Sequence, residues 1–190
     1  AWVQKLIEAG SSVNEATTSG WTPLLVAAEM GYVAVVEKLI TARADVNKAT
    51  TDDGTTPLYI AAYNGHDAIV TRLITARADV DKAATDDGTT PLYIAAAEGH
   101  LIVVAKLITA RADVDKAMTT SGWTPLLVAA ANGHLTVVTK LIAARADVNK
   151  ATTDDGTTPL YMAAYNGHDA IVTKLIAAGA DVDKAETTKG

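Results

Sequence analysis

The sequence contains no cysteine and no phenylalanine, and its apolar runs are short. Without cysteine, neither a disulfide framework nor a thiolate zinc site can form. No run reaches the roughly 18 apolar residues of a membrane-spanning helix, and no charged and then apolar leader is present. We therefore expect an intracellular protein with no membrane span and no secretory signal.

Basic residues are also fewer than acidic residues. Sixteen Lys and Arg stand against 22 Asp and Glu, which gives a net charge of −6. Nonspecific nucleic-acid binding depends on Lys and Arg side chains that neutralise phosphates. The charge therefore argues against a nucleic-acid partner and favours a protein or peptide, basic in character.

Histidine occurs only where a glycine precedes it, at His66, His100, His134 and His168. A side chain that returns once in every copy of a repeat is typical of structure and not of catalysis. No further histidine is left to serve as a general base, and no Gly-rich phosphate loop is present. We expect no enzyme activity, no cofactor and no metal site.

The sequence does contain a repeat. A Gly-x-Thr-Pro stretch recurs five times, and its prolines lie 34 residues apart. A fixed period of this length indicates one supersecondary unit stacked on itself as a single solenoid domain. A partial unit at 1–20, which suggests a piece of a longer array, precedes five full units at 21–54, 55–88, 89–122, 123–156 and 157–190.

The residue pattern of each unit predicts two helices and a loop. Thr56 and Pro57 suit the N-cap and first position of a short helix, and Gly65 suits its end. A second helix with an apolar stripe is expected over about 67–76. Tetratricopeptide repeats share the period, but the polar loop 79–88, which ends in an Asp-Asp-Gly turn signal, argues against them.

The unit resembles the ankyrin repeat. The matching residues are Thr56-Pro57-Leu58-Tyr59-Ile60-Ala61-Ala62, then Gly65-His66, then Ala78-Asp79-Val80-Asp81, and the other full units repeat this pattern with substitutions at single positions. The resemblance implies an all-α ankyrin-repeat solenoid of helix-loop-helix units with projecting β-turn fingers. It also implies a noncatalytic protein–protein interaction module or scaffold that binds through its concave face and fingertips. The alternatives are a structural spacer of a larger repeat protein and an engineered scaffold without a ligand.

The unit departs from the family pattern in its length and at two positions. The 34-residue unit is one residue longer than the usual length of about 33, and the extra residue falls in the finger. The family's histidine is replaced by Leu25, Tyr59, Tyr93, Leu127 and Tyr161, of which we expect the tyrosines to be half-buried. The glycine that normally follows the second helix is replaced by Arg43, Arg77, Arg111 and Arg145, and is kept only at Gly179. We expect these arginines to adopt a costly positive φ and to offset it by pairing with Asp45, Asp79, Asp113 and Asp147.

The resemblance places a pair of residues per unit on the concave face, at the end of the first helix. The candidates for partner binding there are Glu29, Met30, Tyr63, Asn64, Glu98, Asn132, Tyr165 and Asn166. Trp21 and Trp123 follow the turn glycine and should lie at the base of the fingers. Exposed Tyr and Trp are typical interface anchors; the alternative is that these rings pack between units.

Acidic pairs mark the fingertips, at Asp52, Asp53, Asp86, Asp87, Asp154 and Asp155. A calcium loop needs about six oxygens around one ion, so we interpret these residues as turn caps. They also form a negative strip for a cationic partner. We interpret the recurring Lys48, Lys82, Lys116, Lys150 and Lys184 as a solvated face of mixed charge.

A longer period lies over the short one. Residues 21–54 match 123–156 at 27 of 34 positions, and residues 55–88 match 157–190 equally well.

The last helix, ending near Ala178, lacks the polar cap that terminal units carry. We therefore expect a monomer that can associate end to end.

Overall fold

A computed structural model of the chain describes residues 12–84 and 87–183. In these ranges ten helices form five consecutive pairs, and strand-like pairing is limited to one isolated antiparallel bridge between Ala84 and Thr89. The helices are α1 (Pro23–Glu29), α2 (Val33–Thr41), α3 (Pro57–Tyr63), α4 (Asp67–Thr75), α5 (Pro91–Ala97), α6 (Leu101–Thr109), α7 (Pro125–Ala131), α8 (Leu135–Ala143), α9 (Pro159–Tyr165) and α10 (Asp169–Ala177). We call the odd-numbered helices inner and the even-numbered helices outer.

The inner helices begin and end as local sequence chemistry dictates. The hydroxyl of Thr56 accepts the Tyr59 N–H at 3.1 Å, which satisfies one of the free amides of the first turn. Pro57 follows at the first helical position. A backbone N–H at this position has no acceptor within the helix, so the missing N–H of proline costs nothing. Beyond the helix end Gly65 has a φ of +70°, a conformation that costs glycine least.

The apolar core runs along the whole stack. In α4 the stripe of Ile69, Val70 and Leu73 is fully buried, and it belongs to one cluster that extends from Leu24 to Ala180. No unit has a core of its own, so each unit buries its apolar side chains against the neighbouring units. None of the helices in the described ranges is long and apolar enough to cross a membrane.

Polar bonds between successive units form what we call the loop ladder. The Asp79 N–H donates to Asn47 Oδ1 at 2.8 Å, and Lys82 Nζ donates to Asn47 O at 2.8 Å. The same two bonds recur with acceptors at Asn14, Asp81 and Asp115. The prediction of a solvated lysine face was therefore wrong for Lys48, Lys82, Lys116 and Lys150; Lys184 lies outside the described residues.

The four arginines do adopt positive φ, with values of 64°, 66°, 67° and 68° at Arg43, Arg77, Arg111 and Arg145. Their predicted pairing with aspartate was wrong. The ion pairs found within the described residues are Arg72–Glu37 and Lys106–Asp67. Asp79 instead uses its carboxylate to accept the N–H of Asp81 at 3.0 Å, a local turn bond that leaves the arginine side chain exposed.

Candidate functional site

The inner helices lie side by side and present one exposed surface, which we call the inner-helix surface. Its exposed side chains are Val26, Met30, Tyr63, Asn64, Glu98, Asn132, Tyr165 and Asn166, with Glu29 half-buried among them. Tyr63 is 45% exposed and Tyr165 75% exposed. Between these two units the same position is Ala97 and Ala131, so the surface has an aromatic side chain on either side of a shallow alanine stretch.

Tyrosines one turn earlier in the inner helices differ in exposure. Tyr59 and Tyr93 are half-buried; burial, with the Asp87 carboxylate as a further cause, raises the pKa of each to about 12. Both are therefore neutral packing residues, as predicted. Tyr161 is exposed instead, and its ring stacks on that of Tyr165 with centroids 6.2 Å apart and planes 15° apart. The stacked pair enlarges the aromatic surface near the last inner helix.

The histidines bind the inner-helix ends of the unit before. His66 Nε2 lies 3.0 Å from Glu29 O, and His100 Nε2 lies 2.9 Å from Tyr63 O. His134 and His168 repeat this contact with Ala97 O and Ala131 O. Each ring thus satisfies a carbonyl that the helix end leaves unpaired, which confirms the structural role inferred from recurrence.

Two of the predicted asparagines share that role. Asn132 Nδ2 donates to Ala97 O at 2.9 Å, and Asn166 Nδ2 donates to Ala131 O at 3.0 Å. Asn64 differs, because its amide donates to Ile60 O within its own helix at 2.9 Å. Sequence reasoning treated all three as candidate binding residues. Recurrence alone would not have separated these two roles, because Asn64 occupies the same position in its unit as Asn132 and Asn166 do in theirs.

The fingertip aspartates divide into two kinds. In the first and last Asp-Asp-Gly fingers the second aspartate closes its own turn: Asp53 accepts the Thr50 hydroxyl and the Thr55 N–H, and Asp155 accepts the equivalent Thr152 and Thr157 groups. The Thr50 and Thr152 hydrogen bonds lower the pKa of these two carboxyls. Asp87 likewise accepts the Thr89 N–H at 3.0 Å.

The first aspartate of each pair makes a bond to an adjacent residue: Asp52 Oδ1 accepts the Thr51 hydroxyl at 3.3 Å, and Asp154 Oδ1 accepts the Asp155 N–H at 3.1 Å. Asp52 and Asp154 are exposed, whereas Asp86 lies outside the described residues. Across residues 12–84 and 87–183, no three His, Asp or Glu side chains are grouped so as to hold a metal ion. The carboxylates of Asp52 and Asp154 are therefore separate exposed charges in the part of the chain that the structure describes.

Family models match most of the chain. A model of three ankyrin repeats matches residues 47–118 and 104–186, and a model of a single ankyrin repeat matches residues 19–51. The chain belongs to the ankyrin repeat family. No curated protein matches it. Ankyrin repeats are generally protein–protein interaction modules and are typically non-catalytic.

Within this ankyrin array the two tryptophans follow a packing rule. Trp21 and Trp123 are both half-buried, and Trp123 packs against the core. Four residues after each tryptophan lies a fully buried leucine, Leu25 or Leu127. The other units have a threonine at the tryptophan position and a tyrosine at the leucine position. Each ankyrin unit thus places one large ring at one of two positions, which favours packing over partner binding for the tryptophans.

Proposed function

We propose that this ankyrin array is a noncatalytic binding module that holds a protein segment on its inner-helix surface. The observation that carries the proposal is the exposure of Tyr63 and Tyr165, which occupy the same position in two units. Large aromatic side chains left in solvent are typical anchors of protein interfaces. The alanines between them leave room for the backbone of a bound segment.

The charges around this surface favour a basic partner. Glu98 on the inner-helix surface and Asp52 and Asp154 on the fingertips are exposed carboxylates. The amines of the loop-ladder lysines donate to backbone carbonyls of the neighbouring unit, and the ion pairs found among the described residues do not join them to these carboxylates. A segment with apolar side chains for the tyrosines and Lys or Arg toward the fingers is complementary to this arrangement.

Affinity capture from a lysate of the source cells tests the tyrosines. Wild type is compared with Tyr63→Ala/Tyr165→Ala and with the control Tyr32→Ala, which removes an exposed tyrosine outside the inner-helix surface. We expect proteins that wild type and the control retain and that the double variant loses. Equal recovery by all three would place binding elsewhere, and no specific capture would favour a structural spacer.

The acidic component has its own test on the captured partner. Asp52→Asn/Asp154→Asn removes two exposed fingertip charges but keeps an Oδ1 that can accept the Thr51 hydroxyl and the Asp155 N–H, so folding should be preserved. Binding should weaken, and its dependence on salt should become shallower because fewer charge contacts remain. An unchanged salt dependence would show that the fingertips are not part of the interface, while leaving the tyrosine result intact.

A further inference from the structure

Helix α6 differs from the other outer helices in the side chain that it leaves in solvent. Ile102 is 61% exposed. At this position the other outer helices have the small or polar residues Ala34, Ala68, Thr136 and Ala170. The fold therefore does not need a large apolar side chain here, and its exposure in one unit indicates a contact outside the chain.

An apolar groove lies beside Ile102, between α4 and α6. It is lined by Ile74 of α4 and by Leu101, Ile102 and Ala105 of α6. The small side chain at 105 widens the groove, because the other outer helices have at this position the larger residues Glu37, Thr71, Thr139 and Thr173. The large residue at 102 and the small residue at 105 thus enlarge the apolar surface at the same place.

The polar side chains of the groove have already used their donors. The hydroxyls of Thr71, Thr75 and Thr109 donate to the carbonyl four residues earlier, at 2.9, 2.8 and 2.8 Å. The three protons of Lys106 Nζ go to Asp67 O, Asp67 Oδ2 and Thr71 Oγ1. Among the described residues that line the groove, no side-chain donor is left for the backbone carbonyls of an extended segment. An α-helix satisfies its own backbone, so an apolar groove of this kind suits a helix.

One end of the groove has an exposed arginine on either side. Thr75 and Ala110 line the groove, Arg77 lies two residues beyond Thr75, and Arg111 directly follows Ala110. Both arginines are exposed and have positive φ, and neither belongs to the ion pairs found within the described ranges. Backbone strain that the fold does not require is characteristic of functional sites.

The acids near this end hold other contacts. Asp79 Oδ1 accepts the Asp81 N–H at 3.0 Å. Asp113 Oδ1 accepts the Asp115 N–H at 3.0 Å. The acids of α2 and α4 are held in the two ion pairs. A guanidinium group without an ion pair can bind a carboxylate through two parallel hydrogen bonds, so the groove end favours an acidic partner.

We propose that the groove between α4 and α6, with Arg77 and Arg111 at its end, docks an acidic amphipathic helix of a partner protein. The apolar face of that helix packs on Ile74, Ile102 and Ala105, and its carboxylates bind the two guanidinium groups. This surface is formed by outer helices and selects acidic partners, whereas the inner-helix surface is proposed to select basic ones. The two surfaces therefore take different partners.

The probe is a synthetic helical peptide of about 18 residues, with leucines at i, i+4, i+7 and i+11 and glutamates beside them. Its affinity for the full chain is measured by fluorescence anisotropy. Arg77→Gly/Arg111→Gly should weaken binding by about tenfold or more, because it removes charge-assisted bonds, although it relieves backbone strain. Arg43→Gly/Arg145→Gly is the matched control: it relieves the same strain in the two flanking units and should bind like wild type.

A second variant tests the groove itself. Glu37 occupies the position of Ala105 in the first full unit, so Ala105→Glu is compatible with the fold, and its carboxylate should block the groove and repel the peptide. Tyr63→Ala/Tyr165→Ala should bind the peptide like wild type. That result separates the outcome for this groove from the outcome for the inner-helix surface.

Five results would overturn the proposal. They are no binding of the peptide to wild type; equal binding of a peptide with glutamine in place of glutamate; equal weakening by the two pairs of arginine substitutions; wild-type affinity of Ala105→Glu; and loss of binding in Tyr63→Ala/Tyr165→Ala. The last result would place the peptide on the inner-helix surface.

Discussion

Replacing the arginines that follow the outer helices with glycine should stabilise the array. Arg77 has a φ of 66°, its side chain is exposed, and the ion pairs found among the described residues do not include it. The side chain therefore brings backbone strain with no compensating bond. Gly179 occupies the same position in the last unit with a φ of 90°, which shows that the turn accepts glycine.

The size of the effect follows from two opposing terms. A non-glycine residue in the left-handed region costs about 1–2 kcal/mol. Glycine loses about 0.5–1 kcal/mol more conformational free energy on folding than alanine does. The net gain for Arg77→Gly is therefore about 0.5–1 kcal/mol, and about 2–4 kcal/mol for all four sites, which lie in separate units and should act additively.

Thermal and urea unfolding measure this gain. A chain of this length should rise by about 2–4 °C in Tm for each kcal/mol, and the urea midpoint should rise with it. Arg77→Ala is the control, because it removes the guanidinium and keeps the Cβ that causes the strain; we expect a change within about 0.5 kcal/mol. A clear fall in Tm for Arg77→Gly, matched by a fall for Arg77→Ala, would refute the reasoning and assign the guanidinium a stabilising contact.

Two further perturbations test the contacts between and within units. His100→Ala removes the bond to Tyr63 O and should lower the free energy of unfolding by about 1–2 kcal/mol, whereas Tyr32→Ala, at the same position in the first full unit, should change it by less than about 0.5 kcal/mol; equal effects in urea unfolding would contradict the histidine's role. The lowered pKa values of Asp53 and Asp155 mean that their ionised forms stabilise the fold above the ordinary pKa of 3.8, and that this contribution is lost as pH falls through the lowered values. Asp53→Asn/Asp155→Asn should therefore be less stable than wild type at neutral pH and approach it under acid; a stability gap that persists in acid would mean that the carboxylate charge is not its source.

Local features of the fold were predictable from the sequence because their causes are local. The Thr56 cap, Pro57 at the first position and the positive φ of Gly65 each depend on residues within one turn, and all three agree with the structure. The predicted end of the second helix near Ala76 differs from the observed Thr75 by one residue. These elements and their period predicted a helical repeat array, and the resemblance of the motif residues to the ankyrin pattern predicted which one.

Contacts between units were not predictable in the same way. Lys82 has acids close to it in sequence, which suggested a solvated face of mixed charge, yet its amine binds Asn47 O in the preceding unit. Asn64 and Asn132 occupy one position in the unit and have the same side chain, but only Asn132 reaches across to its neighbour. The sequence of one unit does not show which hydrogen-bond acceptors of the neighbouring unit lie close to its side chains.

Exposure of the candidate site residues depends on the same neighbours. Tyr59 is half-buried while Tyr161, at the same position, is exposed. The difference arises because α3 is followed by another inner helix, α5, whereas α9 has no described inner helix beyond it. Sequence could therefore name the tyrosines as candidates but could not rank them.

The bonds between units have a direction along the chain. In the loop ladder the later unit donates to the earlier one, as Lys82 does to Asn47. The histidine contacts and both ion pairs run the same way, as His100 to Tyr63 O and Lys106 to Asp67 show, whereas Asn149 Nδ2 donates in the opposite direction, to Gly179 O at 3.3 Å. During synthesis the earlier unit leaves the ribosome first and already displays its acceptors when the next unit emerges. The array is thus suited to assemble in the order of translation, each new unit closing on a template that is complete before it arrives.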